Sequence, residues 1–399
     1  MNRNIKKLIS KELKLKIPLF LVIFSSIQLS SCTDEKELTL DRVILDCDMG
    51  VMNDDALALS MLLQAEALGN LDVIGITLEG GNYFVDASFE TDGILQPSEW
   101  NNTYQFLERI GQTDIPVFKG KDYPIGFTNE SISNLADYYE NADYLPFNDG
   151  YGAIHAFENI ISGTLCDSDD ASDFMIQSVK DYPGNVVIIA IGPTMNIARA
   201  IEKDPSFAES VKAIYYMTGA LGNYYEAETT NEKKVLAVDG ANVTPYAEYN
   251  ALYDPNALFK CLIANFPKQY ITPAELNVEY DNSILERLQI SEGNNAIVDS
   301  WFEAYCDSTP EYPYWDPVTV FAYLYSECIV AEAEKYVTVN TNRNDDKFGQ
   351  TTAISVDEYN ALSTSEKSLY GKVKVINEVE NFWQKTIELL GKPVDSIED

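Results

Sequence analysis

The sequence predicts an open, mostly parallel, doubly wound α/β sheet with insertions. Five apolar runs have the length of a strand and carry β-branched residues, which is typical of strands buried on both faces of a parallel sheet. Helical patterns alternate with these runs and indicate βα units, so ligands are expected at the carboxyl ends of the strands. The five predicted strands are 42–48, 71–79, 114–120, 185–192 and 211–219.

The helices and insertions follow from the same pattern. Helical periodicity predicts a helix after the first strand, one before the third and one after the fourth, at 54–68, 101–111 and 194–204. Three polar stretches are expected to be loops or insertions around the mouth of a site, at 86–100, 128–150 and 222–240. The chain after residue 340 is expected to form peripheral strand and helix.

The first 31 residues differ from the rest of the chain. Six Lys and Arg against one Glu precede an apolar run, Ile17–Leu29, that is too short to span a bilayer comfortably and ends in LSSC. This pattern predicts a secretory signal and resembles a bacterial lipobox, which implies cleavage before Cys32 and lipidation of that cysteine. The alternative is a cleaved signal followed by an ordinary cysteine.

The expected organisation is a lipoprotein signal peptide at 1–31, a tether at 32–40 and one α/β domain at 41–399. The acids in CTDEKE, after Cys32, resemble the surface-export signal of Bacteroidetes lipoproteins. The expected location is therefore the periplasm or the cell surface, as an outer-membrane lipoprotein.

The charge of the chain limits its partners. Removal of residues 1–31 takes six basic residues and one acidic residue from totals of 28 and 63, and leaves 22 against 62, a net charge of −40. Such a field repels phosphate backbones and anionic lipid heads. We therefore expect a small-molecule ligand and divalent metal, no nucleic acid, and membrane contact only through the lipid anchor, while homo-oligomerisation stays open.

Five cysteines remain besides Cys32, and none forms a C-x-x-C pair. Several lie in apolar contexts, which favours small buried hydrophobic side chains over a disulfide framework, although a single bridge stays open. These five are Cys47, Cys166, Cys261, Cys306 and Cys328.

An acid cluster follows the first strand, in RVILDCDMGVMNDDA (42–56). Asp46 and Asp48 end the strand, and Asp54 and Asp55 open the next helix. Capping of that helix would explain Asp54 and Asp55, because a helix N-terminus favours negative charge. It does not explain Asp48 or the position of the whole set at a strand end. Gathered carboxylates bind Ca²⁺ or Mg²⁺, and a metal-bound water beside a carboxylate can act as a nucleophile.

These residues also carry a resemblance. ILDCDMGVMNDDALAL is similar to the N-terminal signature of the inosine–uridine preferring nucleoside hydrolase family, in a variant with three residues before Asp-Asp-Ala. Four further segments resemble that family in the same order, and the resemblance runs from about residue 42 to at least 325. They are GITLEGGN (75–82), VVIIAIGPTMNIARAIEKDP (186–205), ANVTPYAEYNALYDPNA (241–257), with Tyr249 for the usual Phe, and YWDPVTVFAYL (314–324).

The resemblance implies calcium-dependent hydrolysis of the N-glycosidic bond of ribonucleosides or related ribosides. Asp48 would be the catalytic base that deprotonates a metal-bound water, and Asp46 would support its neighbours. The implied calcium ligands are Asp48, Asp55, Asp316 and the Ile191 carbonyl. The implied sugar-binding residues are Asp54, Asn82, Asn242, Glu248 and Asn250.

Several of these residues also have a purely structural interpretation. Glu248 and Asn250 would fit the polar face of a strand. Asn196 fits a turn or helix start, and Asp254 with Pro255 fits the start of the following helix.

The acid that protonates the leaving base is the incomplete part of the resemblance. Several family members have a histidine just before the late metal aspartate, where this chain has Trp315. The single histidine, His155, has no clear equivalent and fits a structural position, although its unperturbed pKa suits acid work. Trp315 and His155 therefore both stay open as residues that stack on the base or protonate it. Four tyrosines could also stack on the base or simply cover the core, namely Tyr224, Tyr225, Tyr312 and Tyr314.

Two other functions stay open at this stage. One is a non-catalytic riboside- or glycan-binding lipoprotein on the same scaffold. The other is a haloacid-dehalogenase-like phosphatase, which also has a strand ending in Asp-x-Asp. That class needs a downstream lysine and a later acid pair at strand ends, for which the sequence shows no convincing equivalents.

Overall fold

The computed structural model describes most of the chain from residue 40 onwards. The described residues are 40–49, 54–81, 84–91, 94–96, 98–126, 160–162, 165–221, 246–278, 314–345 and 347–392. Residues Leu40–Asp399 belong to one unit by their internal contacts. The predicted signal peptide, the tether and the lipidation site at Cys32 lie outside the described residues.

The main sheet has nine strands in the described part of the chain, in the order β11-β10-β12-β9-β8-β7-β1-β2-β5. Neighbours are parallel from β12 to β5, whereas β10 runs antiparallel to β12 and to β11. The strands are β1 Arg42–Cys47, β2 Asp72–Leu78, β5 Val117–Lys119, β7 Val186–Ala190, β8 Ala213–Met217, β9 Gln269–Thr272, β10 Ile329–Val339, β11 Thr351–Ile354 and β12 Gly371–Val379. The predicted mostly parallel α/β sheet is confirmed.

Helices alternate with the strands, as expected. The described helices are α1 Asp54–Ala67, α2 Glu99–Arg109, α3 Asp170–Asp181, α4 Met195–Lys203, α5 Phe207–Ser210, α6 Tyr249–Tyr253, α7 Pro255–Leu262, α8 Asp316–Leu324, α9 Val356–Ala361, α10 Thr364–Lys367 and α11 Phe382–Leu390. The five predicted strands and three predicted helices are all present, with ends that differ by a few residues.

The chain after residue 340 is expected to be peripheral, and for one of its two strands this is wrong. β11 is the edge strand, but β12 lies inside the main sheet, between β9 and β10. The side chains of β12 alternate between buried and exposed at its start, because this part of the sheet faces solvent on one side. No continuous apolar run therefore marks β12 in the sequence.

The polar stretch 86–100 is also more regular than the loop that was expected. It contains β3, Ser88–Thr91, and β4, Ile94–Gln96, and α2 begins within it. β3 pairs antiparallel with β4 and with β6, Ile160–Ser162, in a second, three-stranded sheet.

Two apolar layers enclose the main sheet. Val43 and Leu45 of β1 belong to the layer that contains α1 and α8, whereas Ile44 belongs to the layer that contains α4 and α7. β1 is thus buried on both faces. Its carboxyl end lies beside the carboxyl ends of its two parallel neighbours, β2 and β7.

The cysteines within this fold are consistent with a packing role. Cys47, Cys166, Cys261 and Cys328 are buried and free, while Cys306 lies outside the described residues. No helix in the described ranges has both the length and the apolar composition that crossing a bilayer requires.

Candidate metal and substrate site

Three carboxylates meet where two helices begin at the carboxyl edge of the sheet. Asp54 and Asp55 open α1, and Asp316 opens α8. One carboxylate oxygen from each of the three lies within 4.8 Å of the others. Asp55 and Asp316, 261 positions apart in sequence, are therefore brought to one point, as the family resemblance implies.

Asp54 contacts α8 as well as opening α1. Its Oδ2 accepts hydrogen bonds from the backbone N–H groups of Trp315, at 3.2 Å, and Asp316, at 3.4 Å. A carboxylate at these N–H groups stabilises the start of α8. These hydrogen bonds of Asp54 thus go to the start of α8, whereas the capping interpretation concerned α1.

Asp48 lies in a slot between two glycines. A Cβ atom added at Gly81 would overlap Asp48 Oδ2, and one added at Gly192 would lie 2.8 Å from Oδ1. Gly81 follows β2 and Gly192 follows β7, the two strands that flank β1. The Asp48 carboxylate is therefore held from both sides. The three carboxylates whose oxygens lie within 4.8 Å of one another are those of Asp54, Asp55 and Asp316, whereas the predicted ligand set has Asp48 in place of Asp54.

The Ile191 carbonyl lies at the same edge. The Ile191 N–H donates to the Asp46 carbonyl at 2.8 Å, and the Ile191 carbonyl accepts a hydrogen bond from Asn250 Nδ2 at 3.0 Å. A carbonyl oxygen has two lone pairs, so this hydrogen bond leaves one for a cation.

The buried charge of the cluster fits a cation. Burial raises the pKa of Asp55 well above its ordinary value, and the charges of Asp48 and Asp54 raise it further. Burial and the same neighbouring acids raise the pKa of Asp316. Neither carboxylate oxygen of Asp55 has a hydrogen-bond partner among the described residues. Buried oxygens without donors are costly, and an oxygen-only donor set is what Ca²⁺ and Mg²⁺ prefer.

A second buried acid pair lies behind Asp48, and the sequence reasoning missed one of its members. Asp46 Oδ1 accepts hydrogen bonds from Thr77 Oγ1, at 2.7 Å, and Asn196 Nδ2, at 2.9 Å. Glu79, at the end of β2, accepts the Asn196 N–H at 3.0 Å. Burial raises the pKa of Asp46 to about 7. The signal for Glu79 was an acid directly after an apolar strand, next to the glycines of the second family segment.

Glu248 begins α6 and does not lie on a strand. Its Oε1 accepts the Asn250 N–H at 2.6 Å, and its Oε2 accepts those of Ala251, at 3.0 Å, and Gly219, at 2.8 Å. Burial raises its pKa to about 7. Glu248 therefore joins α6 to the end of β8, at the edge of the acid cluster.

The aromatic residues before Asp316 are packed in the core. Trp315 is 8% exposed, and its indole N–H donates to the Ala274 carbonyl at 2.9 Å. This hydrogen bond uses the one polar hydrogen of the ring, so Trp315 is not a proton donor for a leaving group. Tyr314 is 1% exposed and packs edge-on against Trp383. Tyr314 thus fits the structural alternative, in which the tyrosine covers the core.

The remaining predicted site residues lie outside the described part of the chain. They are Asn82, His155, Tyr224, Tyr225, Asn242 and Tyr312.

A comparison of the sequence with protein-family models gives a match to the inosine-uridine preferring nucleoside hydrolase model over residues 43–384. The chain belongs to this family. The match spans every described element of the main sheet and the acid cluster at its edge.

Curated relatives match over part of their length. The chain is 29% identical over 222 residues to a probable uridine nucleosidase 1 of Oryza sativa subsp. japonica, covering 56% of this chain and 55% of the relative. It is 29% identical over 216 residues to a pyrimidine-specific ribonucleoside hydrolase of Escherichia coli, covering 54% of each. The chain thus spans about half the length of the curated relatives that it matches.

Solved structures of this fold match over nearly the whole chain. A plant nucleoside hydrolase aligns with a TM-score of 0.61 at 23% identity, covering 90% of this chain and all of that one. A purine-preferring ribonucleoside hydrolase from Gardnerella vaginalis aligns with a TM-score of 0.57 at 20% identity, covering 88% and 98%. Family members thus share the sheet and its helices.

Proposed function

We propose that this protein is a calcium-dependent nucleoside hydrolase that cleaves the N-glycosidic bond of ribonucleosides or closely related ribosides. The observation that carries the proposal is the buried acid cluster, in which Asp55 has two carboxylate oxygens without a donor among the described residues. Family membership and the names of the relatives, which are nucleosidases and ribonucleoside hydrolases, support the reaction class.

The proposed calcium ligands are Asp48, Asp55, Asp316 and the Ile191 carbonyl. When bound, the ion would offset the repulsion among these carboxylates and acidify a water molecule. Asn250 holds the Ile191 carbonyl, and Asp54 holds the backbone at Asp316, so both residues orient proposed ligands.

Asp48 is the proposed base. Its carboxylate is fixed between Gly81 and Gly192, so it presents its oxygens to a water molecule in one orientation. It takes a proton from that water as the water oxygen bonds to the anomeric carbon and the N-glycosidic bond breaks, and the nucleobase leaves with the bonding electrons. The transition state carries positive charge on the sugar ring, and the surrounding carboxylates stabilise this charge.

The proposed sugar contacts are Asp54, Asn82, Asn242, Glu248 and Asn250. Three of them, Asp54, Glu248 and Asn250, also form hydrogen bonds with backbone groups at the carboxyl edge of the sheet. Their polar atoms are therefore already oriented before a sugar binds, which lowers the entropic cost of binding.

An assay of sugar release tests the proposal. The purified protein with Ca²⁺ is expected to release reducing sugar from at least one of inosine, adenosine, uridine and cytidine. Asp48→Asn should lower kcat by about 100- to 10,000-fold, because general-base catalysis contributes that much, while circular dichroism shows an unchanged fold. Asp357→Asn, an exposed substitution on α9, is the matched control and should leave turnover unchanged.

Three outcomes would contradict the proposal. Binding of a riboside without turnover would select the non-catalytic binding protein. Phosphate release from sugar phosphates would select the phosphatase. Full activity of Asp48→Asn would remove Asp48 as the base.

We also propose that the mature protein is a lipoprotein anchored through Cys32. The basic N-terminus, the short apolar run and LSSC support this proposal. Metabolic labelling with a fatty acid should mark the wild-type protein and not Cys32→Ala. Labelling of both proteins, or of neither, would contradict the anchor.

A further inference from the structure

Asn196 is a buried amide that joins neighbouring strand ends beside the acid cluster. It is the second residue of α4 and is 1% exposed. Its Nδ2 donates to the Asp46 carboxylate at 2.9 Å and to the Leu78 carbonyl at 3.0 Å, and its backbone N–H donates to the Glu79 carboxylate at 3.0 Å. One residue thus joins the end of β1 and the end of β2 to the start of the helix that follows β7.

The oxygen of the same amide faces a further strand end. A Cβ atom added at Gly120, directly after β5, would lie 1.9 Å from Asn196 Oδ1 and 2.6 Å from the Leu78 carbonyl oxygen. The Gly120 N–H donates to that carbonyl at 2.7 Å. The amide of Asn196 is therefore packed on its oxygen side and hydrogen-bonded on its NH₂ side, so it holds one orientation.

The slot around the proposed base is formed by the segments that Asn196 joins. Asp46 lies two residues before the base, and Leu78 lies three residues before Gly81, one wall of the slot. Gly192, the other wall, lies four residues before Asn196, between β7 and α4. Asn196 therefore holds together the three segments whose spacing sets the orientation of the base.

The same contacts extend to the proposed calcium ligands. The backbone carbonyl of Asp46 accepts the Ile191 N–H at 2.8 Å. The Ile191 carbonyl and the Asp48 carboxylate are two of the four proposed ligands, and the other two, Asp55 and Asp316, begin helices α1 and α8. A displaced end of β1 would thus move two proposed ligands relative to the other two.

We propose that Asn196 is a positioning residue that orients Asp48 as the base and as a calcium ligand. The inference rests on the proposed function. Groups that hold a metal ligand in place commonly contribute 10- to 100-fold to metal affinity or activity. Because the orientation of the base governs the chemical step, loss of the amide should lower kcat even when the site is saturated with Ca²⁺.

Asn196→Ala tests this inference, because it removes the NH₂ donor and leaves every acid in place. The Kd for Ca²⁺ from calorimetry is expected to rise about 10- to 100-fold. At saturating Ca²⁺ and nucleoside, kcat of the folded protein is expected to fall about 10- to 100-fold. A purely structural role would lower Tm and leave both values of the folded protein at wild type, and circular dichroism measures the folded fraction.

Thr77→Val is the milder variant, which serves if Asn196→Ala does not fold. The buried Thr77 hydroxyl donates to the same Asp46 oxygen at 2.7 Å and to the Leu45 carbonyl at 3.3 Å, and valine keeps its shape. The Kd for Ca²⁺ should rise and kcat should fall by about 3- to 10-fold each, the effect of one hydrogen bond.

Gln269→Ala is the matched control. Gln269 is also a buried amide, and its Nε2 donates to the Leu262 carbonyl at 3.1 Å, at the amino end of β9 and so at the opposite edge of the sheet. This variant should lose thermal stability while the Kd for Ca²⁺ and kcat stay at their wild-type values. If it does not fold, Tyr216→Phe replaces it, because the Tyr216 hydroxyl donates to Gln269 at 3.2 Å.

The failures of the inference and of the proposed function are distinguishable. A wild-type Kd for Ca²⁺ and a wild-type kcat in a folded Asn196→Ala protein, or in Thr77→Val where only that variant folds, would overturn the inference alone. Equal losses in the Gln269 control would also overturn it, because the effect would then be one of general stability. A wild-type protein that neither binds Ca²⁺ nor hydrolyses ribosides would overturn the proposed function, and this inference with it.

Discussion

Three buried aspartates in this protein differ in what surrounds their oxygens. Asp122 accepts hydrogen bonds from the backbone N–H groups of Val85, at 2.6 Å, and Cys166, and Asp254 accepts those of Ile125, at 2.6 Å, and Ala257, at 3.0 Å. In Asp55, which is just as buried, neither oxygen has a donor among the described residues.

Removing a carboxylate from water is costly for all three residues. For Asp122 and Asp254 the chain itself offsets that cost with backbone N–H groups, whereas for Asp55 no described group does. Asp55 is the one buried carboxylate in the described part of the chain with both oxygens unsatisfied, and this supports its proposed role as a metal ligand.

The largest expected effect comes from Asp55→Asn. The variant should bind Ca²⁺ about 100-fold more weakly, because ligand charge sets calcium affinity. With EDTA present it should be more stable than wild type by about 1–3 kcal/mol, because an uncompensated buried charge is removed. Calorimetry and thermal unfolding with Ca²⁺ or EDTA measure both effects. Equal destabilisation under the two conditions would show that Asp55 has partners within the chain.

Asp122→Asn should behave in the opposite way. An amide has one acceptor oxygen, so one of the two backbone N–H groups would face an NH₂ group and lose its partner. The expected cost is about 2–3 kcal/mol of unfolding free energy, with or without metal. Urea unfolding measures it, and Asp357→Asn is the control that should change nothing. A cost that vanishes in EDTA would place Asp122 in the metal site.

The pH dependence of the unfolding free energy is a second test of Asp122→Asn. Burial raises the pKa of Asp122 to about 7, from 3.8. Because the folded state binds this proton more tightly, the stabilisation is fully present below pH 3.8 and is lost as pH rises through about 7. The unfolding free energy of wild type in EDTA should fall over this range by at most about 1.4 kcal/mol per pH unit for this group. Asp122→Asn should show a shallower slope, and an unchanged slope would contradict the assignment.

The smallest effect is expected at an exposed carboxylate. Glu358 accepts the Ser355 N–H at 2.7 Å, and Ser355 Oγ accepts the Glu358 N–H at 3.3 Å, which together form a capping box at the start of α9. Ser355→Ala should cost about 1 kcal/mol of unfolding free energy and leave Ca²⁺ affinity and turnover unchanged. A change in turnover would show that α9 is linked to the site.

Sequence reasoning predicted five of the seven strands in the parallel part of the sheet, those from β8 to β5, because most of their residues are apolar. β1, β7 and β8 are apolar throughout apart from Asp46 and Arg42, so they are visible in any short window. β9 has only four residues, and β12 alternates between buried and exposed residues. Runs of apolar residues therefore located the strands from β8 to β5, but not β9 or the three strands beyond it.

The candidate site was predictable in position more than in detail. The end of the first strand and the start of the next helix placed Asp48 and Asp55 at one edge of the sheet, and the family resemblance added Asp316. The hydrogen bond from Asn250 to Ile191 and those from α8 to Asp54 join residues 59 or more positions apart. No local pattern encodes such partners, since they depend on how the strand ends are arranged in space.

The slot around Asp48 limits the substitutions that this protein can tolerate at Gly81 and Gly192. A single added methyl group at Gly81 would collide with the Asp48 carboxylate, and at Gly192 it would crowd the same group from the other side. In a mutational scan, these two uncharged residues should be as intolerant as the aspartate between them, although neither carries a functional group.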